Sequence, residues 1–201
     1  MSPDRSSGRR RGLSGWSRVR RCAAVLVLAC APLVEGVSAA EPGTLSGVNV
    51  RLVDEVWRLD AAADIRLTPP VHRALDNGVA LTFVWQIEIQ RARRWWLDAE
   101  VAKLSQRYTL AYHALSRQYV VTNRNTGKRR SFTRLASALD AIGTLVGYPV
   151  IDQVVLDDPA RCTGYTRVLL EHRSLPLPLR PEALWSSAWE LESAWRSWSF
   201  E

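Results

Sequence analysis

Along residues 79–90 every second side chain is large and apolar, with Leu81, Phe83, Trp85, Ile87 and Ile89 alternating with smaller or polar residues. A period of two sends alternate side chains to opposite faces, so this run predicts a strand that needs a large apolar partner. Weaker alternation recurs elsewhere. Val48, Val50 and Leu52 predict a strand, with residues 60–64 as an interruption before residues 65–67 resume. Residues 95–104 fit a strand or a helix, and strand is the preferred reading. Tyr108, Leu110 and Tyr112 share one face of the next segment, and Tyr119 and Val121 share one face of its partner. Residues 123–128 supply a tight turn in which Gly127 can take a positive φ, leading into residues 129–132. Residues 150–156 and 165–172 read as further strands. The tail, 188–200, reads as a last strand with a bulge between Leu191 and Trp198, and its rival is an amphipathic helix through Leu191, Trp195 and Trp198.

The spacing becomes helical twice. Thr68 followed by Pro69 is a start signal and Gly78 a stop, which predicts a short helix over 69–76. Leu135, Leu139 and Ile142 predict a helix over 133–146, capped by Thr133, stopped by Gly147 and Pro149, and laid across a face or edge of a sheet. Pro176, Pro178 and Pro181 make a stiff connection before the tail. About eight strands and two short helices result, mostly with one wet and one buried face. The fold class expected is therefore mainly β: an antiparallel, sandwich-like single domain over residues 48–201, preceded by a flexible lead-in at 40–47.

The first 39 residues follow a different pattern. Arg5, Arg9, Arg10, Arg11, Arg18, Arg20 and Arg21 precede the apolar run 22–34, and the small residues Val37, Ser38, Ala39 and Ala40 follow it. Charge, short apolar core and small-residue exit mark a signal peptide at 1–39. Cleavage after Ala39 or after Ala40 fits equally well, and lipidation of Cys30 is a third processing route. The expected location is the periplasm or cell envelope. The alternative is an inner-membrane anchor through residues 22–34, although Pro32 leaves that run short of the roughly 20 apolar residues of a spanning helix. Loss of 1–39 removes seven positive and two negative charges, so the formal charge falls from +7 to +2. The basic balance thus belongs mostly to the leader, and no nucleic-acid partner is expected.

The mature part carries little recognisable chemistry. His72, His113 and His172 lack metal-ligand spacing, and Cys162, the one cysteine beyond the leader, has no partner for a disulfide. Ser105, Ser116, Ser131 and Ser137 lie in no nucleophile elbow. Asp54 and Glu55, adjacent in a strand, would face opposite ways, and Asp157 and Asp158 before Pro159 read as a turn that extends past Cys162 to Gly164. No catalytic residue, cofactor or metal site is assigned, and the balance leans away from an enzyme. Arg124, Lys128, Arg129, Arg130 and Arg134 form the one dense basic patch and are the candidate contact residues for an anionic partner. Trp95, Trp96, Trp195 and Trp198 are candidates to line a groove for a lipid, sugar or peptide.

The strand block holding Phe83–Ile89 and residues 108–113 and 115–120, followed by the helix over 132–145, resembles an exported proteobacterial family classed as domain of unknown function 4390. The likeness spans most of residues 48–200. It implies a small periplasmic or envelope-associated domain and brings no activity, cofactor or catalytic residue with it. The function expected is a structural, sensory or interaction domain whose partner is an envelope protein or a membrane surface. A lipid-, sugar- or peptide-binding module and an unrecognised hydrolase are the alternatives.

Overall fold

The computed structural model describes residues 43–92, 99–156, 158–179 and 186–200. The leader and Trp95 and Trp96 lie outside them. Among these residues nine strands form two sheets in which every pairing is antiparallel: β1 (Thr44–Val53), β2 (Val56–Asp64) and β7 (Thr144–Asp152) make one, in the order β1-β2-β7. The other runs β6-β5-β4-β3-β8-β9, built from β3 (Leu81–Arg91), β4 (Ala99–His113), β5 (Gln118–Asn123), β6 (Arg129–Phe132), β8 (Cys162–Leu170) and β9 (Arg196–Ser199). Among the described residues two α-helices, α1 (Pro69–Asp76) and α2 (Leu135–Gly143), join this sandwich-like, mainly β arrangement.

The alternation in β3 does what its pattern predicts. Leu81, Phe83, Trp85, Ile87 and Ile89 are fully buried, and their cross-strand neighbours Leu110, Val168 and Leu170 extend the same apolar face. Trp57 and Leu59 of β2 belong to the same core, where the Trp57 ring meets Phe200 edge-on with centroids 5.2 Å apart. Burying each such ring or branched chain is worth about 1.5–3 kcal/mol, so this layer dominates the stability.

Several expected boundaries move. Strand β1 starts at Thr44, inside the segment read as a lead-in, because Leu45 is buried in the core and Gly47 lets the strand bulge at φ +68°. Residues 60–64 continue β2 without interruption. Asp60 is accommodated there by an ion pair with Arg51 and by the Gly147 amide, which donates to its carboxylate at 2.7 Å. The small residues of that stretch have a packing reason: α2 comes so close to β2 that a Cβ on Gly143 would stand 2.3 Å from the Ala63 carbonyl oxygen. That approach also ends α2 at Gly143, three residues before the expected stop, and Thr144 opens β7 directly. The Trp85 indole fixes the same helix end by donating to the Ile142 carbonyl at 2.9 Å.

Residues 99–113 are one long strand rather than the ends of two. Residues 153–155 form a 3-10 turn, not the end of a strand. Cys162, expected in a turn, is instead the buried first residue of β8 with a free thiol. The tail does run along β8, through the Ser193 amide to the Val168 carbonyl, a bridge between Leu169 and Glu192, and then β9. Its first part, Ser187–Trp189, is a 3-10 turn whose Ala188 carbonyl accepts from the Thr68 hydroxyl. Thr68 therefore ties α1 to the tail and does not cap the helix with its side chain. No helix of the described residues is long and apolar enough to cross a membrane.

Candidate basic cleft

The β5–β6 turn is held by its own side chains. Asn123 accepts from the amides of Asn125 and Thr126 at 3.0 Å each, and Gly127 sits at φ +72°. Asn125 then pins the turn to β4, donating to the Ser105 carbonyl at 2.9 Å and accepting from the Arg107 amide at 2.9 Å. Such turn-internal bonds substitute for ladder bonds and leave the tip well defined.

Five cations surround this hairpin, and the pleat divides them. Arg130 lies opposite Val121 and so shares the inner face with Val121 and Phe132, while Arg129 lies opposite Thr122 on the outer face. The Arg130 guanidinium stands 5.1 Å from the Phe132 ring centroid, a cation–π contact. Arg124 is at the turn, its amide bonded to the Arg107 carbonyl. Arg134 takes the cap position of α2 with extended backbone (φ −119°, ψ 135°), one residue after the expected Thr133, and offers no capping bond. No carboxylate among the described residues is within ion-pair distance of any of the five.

Between this hairpin and α2 lies an open cleft of about 510 Å³. Tyr108, Val121 and Phe132 supply apolar surface from three neighbouring strands; Lys128 and Arg130 bring charge; Ser137, Asp140, Thr144 and Val146 form the opposite wall. Val146 is 76% exposed. Thr144 spends its hydroxyl proton on the Asp140 carbonyl at 2.8 Å, whereas the Asp140 carboxylate has no ion-pair partner among the described residues. Burial, and after it the neighbouring Tyr148, hold the Tyr108 phenol above its ordinary value of 10.0, so it remains a neutral donor at the cleft. Tyr148 is raised by burial as well.

The structure thus brings Lys128 and Arg130 to one concave surface and leaves Arg124, Arg129 and Arg134 around it. Sequence reasoning found the cations but missed Tyr108, Asn123, Ser137, Asp140 and Thr144 as co-lining residues. The signal available was the shared face of Tyr108 and Val121; nothing in the sequence said that α2 would come down beside it.

Of the four tryptophans expected to line a groove, Trp95 and Trp96 lie outside the described residues. Trp198 is buried in the core, and Trp195 lies at the surface with the Arg167 guanidinium 4.5 Å from its ring centroid. Neither lines the cleft. The histidines are far apart in role: His72 is 3.9 Å from Asp76, His172 meets the Trp189 carbonyl at 2.7 Å, and His113 ends β4. Among the described residues no group of three or more His, Cys, Asp or Glu is placed to hold a metal ion.

Residues 40–199 match the family described as domain of unknown function DUF4390. The chain belongs to this family. The match takes in every strand and helix described above and the cleft, so both are parts of the family's domain. No curated protein matches the chain, and no solved structure matches it.

Proposed function

We propose that this DUF4390 domain is an interaction module of the cell envelope that holds an anionic partner on the face formed by the β5–β6 hairpin and the start of α2. The single observation that carries this reading is the set of Arg124, Lys128, Arg129, Arg130 and Arg134, gathered around one hairpin and the start of α2 without a carboxylate partner among the described residues. Some surface cations elsewhere in this chain are used within the fold, as Lys103 is with Glu88 at 2.6 Å and Arg66 with Asp64 at 2.6 Å. The basic face lacks such pairs. Arg134 also stands at the positive end of the α2 dipole, where the first turn has no acid and a cation is locally unfavourable. A local rule broken without compensation inside the fold points to a use outside it. The arginine-rich head, apolar run and small-residue exit of residues 1–39 support an address beyond the inner membrane.

The test is affinity capture from intact envelopes, with cell fractionation, comparing the protein with its Lys128→Ser, Arg129→Ser, Arg130→Ser triple variant. A partner retained by the parent, released by salt and lost from the triple variant is the expected result. Equal, salt-insensitive capture by both, or an uncleaved protein confined to the cytoplasm, rejects the reading.

A further inference from the structure

We propose that the cleft between α2 and the β5–β6 hairpin receives an extended acidic peptide segment of another protein, its acid between Lys128 and Arg130 and an apolar side chain on Tyr108, Val121 and Phe132. This deepens the preceding reading and rests on it by assigning the partner class to one part of the basic face.

Three observations select that occupant. The first is charge. Lys128 and Arg130 enter the cleft without carboxylate partners among the described residues, and Asp140 faces it equally unpaired. Two cations and one carboxylate fit a ligand bearing a single acid per apolar group and disfavour a dense polyanion. A guanidinium and an ammonium can each give a carboxylate a charge-assisted hydrogen bond.

The second is shape and lining. A cleft of about 510 Å³, open to solvent, holds a few side chains, and its wall mixes Tyr108, Asn123, Ser137 and Thr144 with the apolar groups. That mixture suits the alternating polar and apolar side chains of a peptide better than an acyl chain, which gains nothing from polar walls.

The third is the neighbouring edge. β6 is the outermost strand of the six-stranded sheet, and its Arg129, Arg130 and Ser131 are exposed. An edge strand offers unpaired backbone groups to an incoming extended chain, while pockets for alternate side chains give specificity. Basic residues on an edge ordinarily deter strand addition. Here they sit on both faces of β6, Arg129 on one and Arg130 on the other, so an acidic strand is the one that charge admits.

The probe is a short fluorescein-labelled peptide alternating threonine with glutamate and leucine, titrated by anisotropy against the full-length protein. Its controls are the same peptide with glutamine for glutamate, the same peptide with proline for threonine, and phosphatidylglycerol vesicles. Lys128→Glu with Arg130→Glu alters the cleft; Arg124→Glu with Arg129→Glu alters the face outside it. All four positions are exposed, and far-UV circular dichroism reports whether each variant retains the fold. The expected result is binding that weakens about tenfold or more in the cleft variant, which loses both charge-assisted contacts, and much less in the other. Both control peptides should bind more weakly, and backbone amide resonances of Arg129–Phe132 should move on titration.

Absence of peptide binding, equal loss in both variants, or indifference to glutamine or proline overturns the proposal. Vesicle binding weakened by both variants, with no peptide binding, overturns the peptide assignment and leaves the anionic-partner reading standing. Failure of peptide and vesicles alike, together with salt-insensitive envelope capture, removes both.

Discussion

Trp198 occupies the space that a side chain on Gly164 would need: the two are cross-strand partners between β8 and β9, and a Cβ at 164 would stand 2.2 Å from the indole ring. The same ring meets Phe200 with centroids 5.0 Å apart, and Phe200 in turn meets Trp57 of the smaller sheet. One glycine therefore seats the aromatic group that joins the two sheets.

Gly164→Ala should destabilise the protein by about 1–3 kcal/mol through overpacking. Trp198→Ala should cost about 3–5 kcal/mol from the lost ring. Because the three atoms nearest that methyl all belong to the Trp198 ring, the double variant should cost clearly less than the two singles added together. Urea unfolding of the four proteins measures the coupling, and simple additivity would show that the contact is not what excludes a side chain at 164.

Gln106 faces the core opposite Trp85, is buried, and its Nε2 has no hydrogen-bond partner among the described residues. An unsatisfied buried donor costs about 1–3 kcal/mol, so Gln106→Met, close in volume, should stabilise the domain by about 1 kcal/mol. A thermal-shift series checks this; a lower melting temperature for the variant would mean that the amide has a partner in solution.

The β1–β2 hairpin turns on Asp54 and Glu55 at φ +51° and +63°, the left-handed region at both central positions. That geometry is the two-residue turn for which asparagine followed by glycine is preferred. Asp54→Asn with Glu55→Gly should therefore raise stability by about 1 kcal/mol, chiefly from relief of strain at position 55. Chemical denaturation with an unchanged slope is the expected signature, and a loss of stability would reject the turn assignment.

Tyr108 and Tyr148 titrate above their ordinary value of 10.0, in both cases first because burial disfavours the phenolate. The sign follows from linkage: folding favours the neutral phenols, so their contribution is complete below about pH 10 and declines as pH rises through the raised folded values. Melting temperature should fall above pH 10, and Tyr108→Phe with Tyr148→Phe should flatten that fall. Circular dichroism melts across the alkaline range measure it, and identical slopes for parent and variant would remove tyrosine burial as the cause.

The period-two pattern of β3 was legible because each inward position carries a large apolar side chain, and local spacing alone specifies which face must be buried. Helix α1 was equally local: Pro69 at its first turn and the stop at Gly78 need no distant partner. The five cations were visible as a cluster because the hairpin that carries them is one short turn of sequence. The boundaries of α2 and β2 were not legible, since they are set by each other: Gly143 ends the helix where it meets the Ala63 carbonyl, a contact between residues far apart in the chain.

The sequence by itself determined the strands with strong alternation, the basic hairpin and the mainly β class, because these depend on side-chain periodicity and turn chemistry within a few residues. Only the tertiary structure decided that the tail would lie along β8, that Trp198 would be buried, and that α2 would stand beside Lys128 and Arg130 to make a cleft. Those outcomes depend on long-range packing, where the backbone can approach only as closely as a glycine or alanine in another element permits.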